Sequence, residues 1–178
     1  MKKAFASSFL ILLIAVLAGL SACSGSSPAG AAGSASKASL PAGIALAAEP
    51  AGAKPVKDVV AAARTGDEVV MVGRVGVEGS DRAYFTLVDP SLKACSETPL
   101  KDPCDTPWDF CCSPPEELAK LSALVQFRDG GELDGHLLQG NVLGFAGLDH
   151  LKSVVVKGKA EKDSSGNLTV VASGLFVR

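Results

Sequence analysis

Residues 68–77 read EVVMVGRVGV, and their alternation decides the fold class. In an extended chain Val69, Met71, Gly73, Val75 and Val77 fall on one face, with Glu68, Arg74 and Gly76 on the other. Alternation with period two marks a strand that buries one face. A glycine inside a strand marks a bulge or tight bend, so Gly73 and Gly76 predict a strand that curls.

Working outward, residues 83–89 (AYFTLVD) are aromatic and β-branched and are closed by Pro90, which predicts a second strand across the turn at 79–82. A third, 123–127, ends at Asp129-Gly130-Gly131, and 153–160 (SVVVKGKA) with 168–177 (LTVVASGLFV) predict a hairpin across 163–167. Between the third and fourth strands, Leu143, Phe145, Leu148 and Leu151 would present an apolar face from a short helix or irregular cap. Ser113, Pro114 and Glu116 resemble a helix start, with serine as cap and proline in the first turn. The expectation is a mainly β domain over 58–178: a five-stranded OB-fold-like barrel with a long cysteine-rich insertion between strands 2 and 3. A β-sandwich is the alternative. The 121 residues of that span suffice for one compact domain.

The phrases VGRVGV, FTLVD, VVVKGKA and GNLTVVASG, spread over 67–177, resemble the strand patterns of OB-fold domains in lipoproteins of planctomycete-like bacteria. The most distinctive part is CDTPWDFCC at 104–112. The resemblance implies the fold and brings no activity with it.

Residues 1–22 open on Lys2 and Lys3 and run through an apolar stretch from Phe9 to Ala18. That is the layout of an export signal, and it is shorter than the roughly 20 apolar residues of a membrane span. Leu20-Ser21-Ala22-Cys23 resembles the lipobox of bacterial lipoproteins, which implies cleavage before Cys23 and acylation of its thiol. Two or more chains anchor a protein stably. Ser24, where inner-membrane lipoproteins often have aspartate, points to the outer membrane, facing the periplasm. From 23 to 57 the chain is almost all Ala, Gly, Ser and Pro, which predicts a disordered tether. At most, 40–48 could form a transient helix between Pro41 and Pro50.

Setting Cys23 aside leaves Cys95, Cys104, Cys111 and Cys112, all between the second and third strands. In an oxidising envelope the first expectation is two disulfides. Direct neighbours suit disulfide geometry poorly, so Cys95 and Cys104 would each bond one member of the adjacent pair. The alternative is a zinc or copper site on the same four thiolates, with Asp105 or Asp109 as extra ligands. Thiol redox chemistry ranks third, because Asp105, Asp109 and Glu116 make the surroundings acidic.

No nucleophile elbow, P-loop or H-E-x-x-H motif occurs, and His136 and His150 are the only histidines, so an enzyme is not expected. Tyr84, Phe85 and Phe127 could stack on bases, but residues 58–178 carry 12 basic against 18 acidic residues, a net of −6. Single-strand binders need a positive groove, so nucleic acid is not an expected partner. The leading expectation is a membrane-anchored binding module without a cofactor, engaging an envelope protein, glycan or small ligand. Trp108, Tyr84, Phe85 and Phe127 would be its contact residues, although the first expectation for Trp108 is a plug in the open end of the barrel. A periplasmic metal- or thiol-handling protein is the second.

Overall fold

The structure, a computed structural model, describes residues 36–98 and 104–178. The expected export signal, Cys23 and residues 24–35 of the expected tether lie outside the described residues. One short strand and two short helices precede or flank the barrel: β1 (Lys54–Pro55), α1 (Val56–Ala62) and, before the third barrel strand, α2 (Pro115–Leu121). The barrel strands are β2 (Glu68–Glu78), β3 (Tyr84–Val88), β4 (Ser122–Gln126), β5 (Ser153–Lys162) and β6 (Leu168–Val177). They pair in the cyclic order β2-β3-β4-β6-β5 and back to β2, with only β4 and β6 parallel, and β1 adds a parallel strand on β2. Closure removes the free edges that an open sheet would expose. This is the five-stranded OB-like barrel, with one strand added.

Met71, Gly73 and Val75 of β2 point inward as the alternation requires. Val77 does not: it is 43 % exposed. Pairing with β3 steps from Val75↔Leu87 to Glu78↔Phe85, so three steps on β2 oppose two on β3. The extra residue is a β-bulge, and it reverses the phase of everything beyond it. Inside the barrel, Phe85 and Phe127 lie 6.2 Å apart between ring centres at a 38° tilt, among Met71, Leu87, Val125, Val156 and Val170. Both phenylalanines are fully buried, so the expectation that they contact a ligand is corrected: their rings hold the core together.

Helix α1 forms because Val56, Val59 and Val60 recur at helical spacing and bury one stripe against that core. Its orphan amides are partly met from a distance. Asp89, 2 % exposed, accepts the Lys57 amide at 3.1 Å, the Ser91 amide at 3.0 Å and the Ser91 hydroxyl at 2.6 Å. Burial works against the charged carboxyl, but the Ser91 and Lys57 donors outweigh it and hold its pKa below 3.8. Asp89→Ala should therefore cost about 2 to 3 kcal/mol at neutral pH in urea unfolding. Because the folded pKa is the lower one, the contribution is full above pH 3.8 and is lost as pH falls through the folded value. A gap between wild type and variant that stays constant down to pH 2 would refute the ionic part of this account.

Two sequence expectations need correction. Residues 36–57 are not a free tether. The Ala38 amide donates to the Asn141 carbonyl at 2.9 Å and the Asn141 amide to the Ser36 carbonyl at 2.8 Å, the Leu46 amide donates to the Leu175 carbonyl at 2.9 Å, and Glu49 pairs with Arg178 at 2.6 Å. Ile44 is 7 % exposed, and 40–48 forms turns and an isolated bridge in place of a helix. A segment too poor in bulky residues to build its own core can still bind along an existing one. The second correction concerns α2, whose N-cap position is Pro114, with no side-chain capping bond from Ser113. Between β4 and β5 the chain is irregular, with 3-10 turns at Asp129–Gly131 and Phe145–Gly147. Among the described residues no helix is long and apolar enough to cross a membrane.

Candidate metal centre

The chain leaving β3 at Asp89 turns back over the outside of β2. Leu92, Ala94 and Phe110 are buried there with Val88, and Leu118, Leu121 and Leu151 pack around them as a second, smaller core. Above it, residues 104–112 run beside the 3-10 turn Cys95–Glu97: the Cys95 amide donates to the Asp109 carbonyl and the Ser96 amide to the Pro107 carbonyl, both at 2.8 Å. Cys95 is thereby brought against Cys111 and Cys112, across the segment 99–103 that lies outside the described residues.

Arg74, on the outward face of β2, clamps this loop. Its guanidinium sits 5.3 Å from the Phe110 ring centre, donates to both Glu97 oxygens at 2.7 and 2.9 Å, and donates to the Leu92 carbonyl at 2.5 Å. Glu97 also accepts the Ala94 amide at 2.8 Å. The Arg74 bonds, then the Ala94 amide, pull the Glu97 carboxyl down to about 2. Glu97 is 43 % exposed, so solvent screens the pair. Arg74→Met should loosen the loop by about 1 kcal/mol, a roughly fivefold faster hydrogen exchange at the Cys95 and Ser96 amides with β5 and β6 unchanged. Equal acceleration in all of them would mean that Arg74 supports the whole barrel and not the loop.

The Cys95 sulfur lies 3.0 Å from that of Cys112 and 3.4 Å from that of Cys111, and Cys104 lies 3.9 Å from Cys111. Cys95, Cys111 and Cys112 bring their sulfurs within 4.8 Å of one another, the one grouping of three or more potential metal ligands among the described residues. Cys95 is buried, Cys104 half-buried, and Cys111 and Cys112 exposed. Burial alone would raise the Cys95 thiol, but bonds from the Cys112 and Cys111 thiols and the Cys112 amide outweigh it and hold its pKa below the ordinary value. The donors move the other way. Cys111 is pushed up to about 12, first by its bond to Cys95 and then by burial, and Cys112 is raised for the same reasons. The arrangement thus favours one buried thiolate held by neighbouring thiols, and the neighbours that set it are sulfurs, not the carboxylates that the sequence suggested.

All four cysteines are free thiols in this state, and their contacts of 3.0 to 3.9 Å exceed the about 2.05 Å of a disulfide. The first sequence expectation, two bridges, is not met here. Asp105 and Asp109 stand outside the sulfur grouping, and Asp109 instead accepts the Phe110 amide at 2.6 Å. Tyr84 is half-buried beside Gly79. Trp108 joins neither core: its ring stacks on His150 at 4.8 Å between centres and 19° between planes, and His150 Nε2 meets Glu78 at 2.7 Å. The plug expected in the barrel is instead part of a Glu78–His150–Trp108 bracket outside the barrel core. Two supports escaped sequence reading, the Arg74–Glu97 clamp and the Glu78–His150–Trp108 bracket, because their partners lie 23 and 72 residues apart and no local motif joins them. No family model matches the chain, and no curated protein matches it.

Proposed function

We propose that this chain is a lipid-anchored envelope protein whose barrel carries a thiolate site for a soft metal ion, Zn2+ or Cu+. The observation that carries the reading is the convergence of the Cys95, Cys111 and Cys112 sulfurs within 4.8 Å, with Cys104 3.9 Å from Cys111. Thiolates select these ions over Mg2+ or Ca2+. The donor set is consistent with a bound ion, since one sulfur is buried, its partners are exposed, and the loop is held by contacts that do not involve sulfur. Anchoring rests on the lipobox around Cys23, and it places the site in the envelope, on the outer membrane facing the periplasm. The role is binding and not catalysis. A second reading, an interaction module for an envelope protein or small ligand, draws on the half-buried aromatic rings of Trp108 in the loop and Tyr84 at the start of β3.

The test is native mass spectrometry of the reduced full chain in detergent after incubation with Zn2+ or Cu+. The expected result is one retained ion per chain, lost when the thiols are alkylated. Four reactive thiols with no retained ion would reject the metal reading and leave the interaction module. Incorporation of labelled palmitate, abolished by Cys23→Ser, tests the anchor separately.

A further inference from the structure

We infer that the four sulfurs form a two-state site: reduced, they hold the ion, and disulfide exchange closes Cys95 to Cys112 and Cys104 to Cys111 and releases it. This rests on the metal reading for what is released, while the pairing stands on geometry alone. Four cysteines allow three pairings. One needs a Cys111–Cys112 bond between direct neighbours, which disulfide geometry disfavours. Of the other two, Cys95 to Cys112 and Cys104 to Cys111 uses contacts already made, at 3.0 and 3.9 Å. The remaining one would use the 3.4 Å contact of Cys95 with Cys111, but it leaves Cys104 to reach Cys112, with which it makes no contact. Only one pairing consumes all four thiols without rebuilding the loop.

The surroundings keep that choice available after an ion leaves. The Cys95–Asp109 and Ser96–Pro107 backbone bonds, buried Phe110 and the Arg74–Glu97 clamp hold the strands of the loop together without any sulfur. Exposure sets the order of events. An incoming disulfide, small or carried by a thiol-disulfide oxidoreductase, reaches exposed Cys112 and not buried Cys95. The Cys112 sulfur attacks it, forming a mixed disulfide and releasing one reduced thiol. The Cys95 sulfur, 3.0 Å away, then attacks the Cys112 sulfur and expels the second thiol. Each protein bridge thus removes two electrons and two protons from a pair of cysteines and reduces one disulfide of the oxidant to two thiols. Cys111 and Cys104 repeat the sequence. Sulfurs joined in this way have lost the thiolate charge that bound the ion, which leaves in the oxidation state in which it was held.

The test uses the full chain with Cys23→Ser, so that only the four loop thiols remain, made reduced and then exposed to oxidised glutathione. Intact mass should fall by four hydrogens with no thiol left to label, and a bound Zn2+ should go from one equivalent to none in step with the mass change. C95A/C112A and C104A/C111A should each close one bridge, whereas C95A/C111A should close none, its two cysteines staying labelled or carrying glutathione as an intact-mass adduct. Bridging in C95A/C111A as fast as in the other two, or wild type stalling with two free thiols, would overturn the pairing. Complete bridging in a chain that never held an ion would overturn the metal reading and leave the pairing in place. Retention of the ion by the fully bridged chain would overturn the coupling.

Discussion

Cys95→Ala should weaken Zn2+ or Cu+ binding by the reduced chain more than about a hundredfold, while Cys104→Ala should weaken it about tenfold or less. Replacing a group that merely supports a metal ligand costs about 10- to 100-fold, and Cys95 is placed as a ligand itself. It is the hub: its sulfur touches those of both Cys111 and Cys112, at 3.4 and 3.0 Å, whereas Cys104 meets Cys111 at 3.9 Å and stands outside the group of three. Cys95 is also the thiol whose ionised form its neighbours favour, so losing it removes the sulfur already disposed to ligate as thiolate. Alanine suits the test because Cys95 is 1 % exposed and a methyl group buries no unpaired polar atom. Competition against a chelator of known affinity gives the two ratios, and urea unfolding of the ion-free proteins checks that both variants keep the barrel. Equal losses in the two variants would place the ion among all four sulfurs evenly, and no loss in either would remove it from the loop.

What the sequence made legible follows from where the signal is local. All five barrel strands fall where alternation and turn residues put them, because a strand with one buried face writes its period into consecutive residues. The hairpin turn is also local: the Asp163 carboxylate accepts the Ser165 and Asn167 amides at 2.8 and 2.9 Å. Val77 broke the pattern because a bulge is an event in pairing, and the partner strand is not visible in the strand's own letters. The strap 36–57 was misread for the same kind of reason. Its fit depends on Gly140, at φ +97°, where a Cβ would come within 2.6 Å of the Ala38 nitrogen, and on Gly174, where a Cβ would come within 2.9 Å of the Leu46 side chain. Neither glycine announces a partner a hundred residues away. In the cysteine loop the residues themselves were found, since four cysteines close together stand out. Which sulfur is the hub was not, because that depends on a guanidinium from β2 and a carbonyl from residue 109 folding the loop to one shape.

The two glycines of VGRVGV, alike in the sequence, should respond in opposite ways to alanine. A Cβ on Gly73 would lie 2.7 Å from the Val88 carbonyl oxygen and 2.8 Å from both the Leu87 and Val56 side chains. Two of those neighbours are core side chains and one is backbone held in the β2–β3 ladder, where Arg74 pairs with Val88. Relief would require α1 to lift with Val56 or the two strands to part. Overpacking of this kind typically costs about 1 to 3 kcal/mol, and the upper end applies because three rigid neighbours converge on one methyl group. At Gly76 the nearest atoms, the Thr86 carbonyl oxygen, a Val88 methyl and the Phe110 ring, stand at 3.4 to 3.5 Å, which is ordinary contact, and its φ is not positive. An alanine there fills space beneath Phe110 and lowers the entropy of the unfolded chain, so Gly76→Ala should be neutral or stabilise by about 0.5 kcal/mol. Urea midpoints of the two variants should therefore move apart, with Gly73→Ala the less stable by about 3 kcal/mol. Similar midpoints would mean that β2 can shift as a unit and that the seat of α1 on the barrel is softer than its contacts imply. Should Gly76→Ala prove the worse variant, the rigid neighbour would be Phe110, and the cysteine loop, not the helix, would be the part of the molecule that tolerates least change.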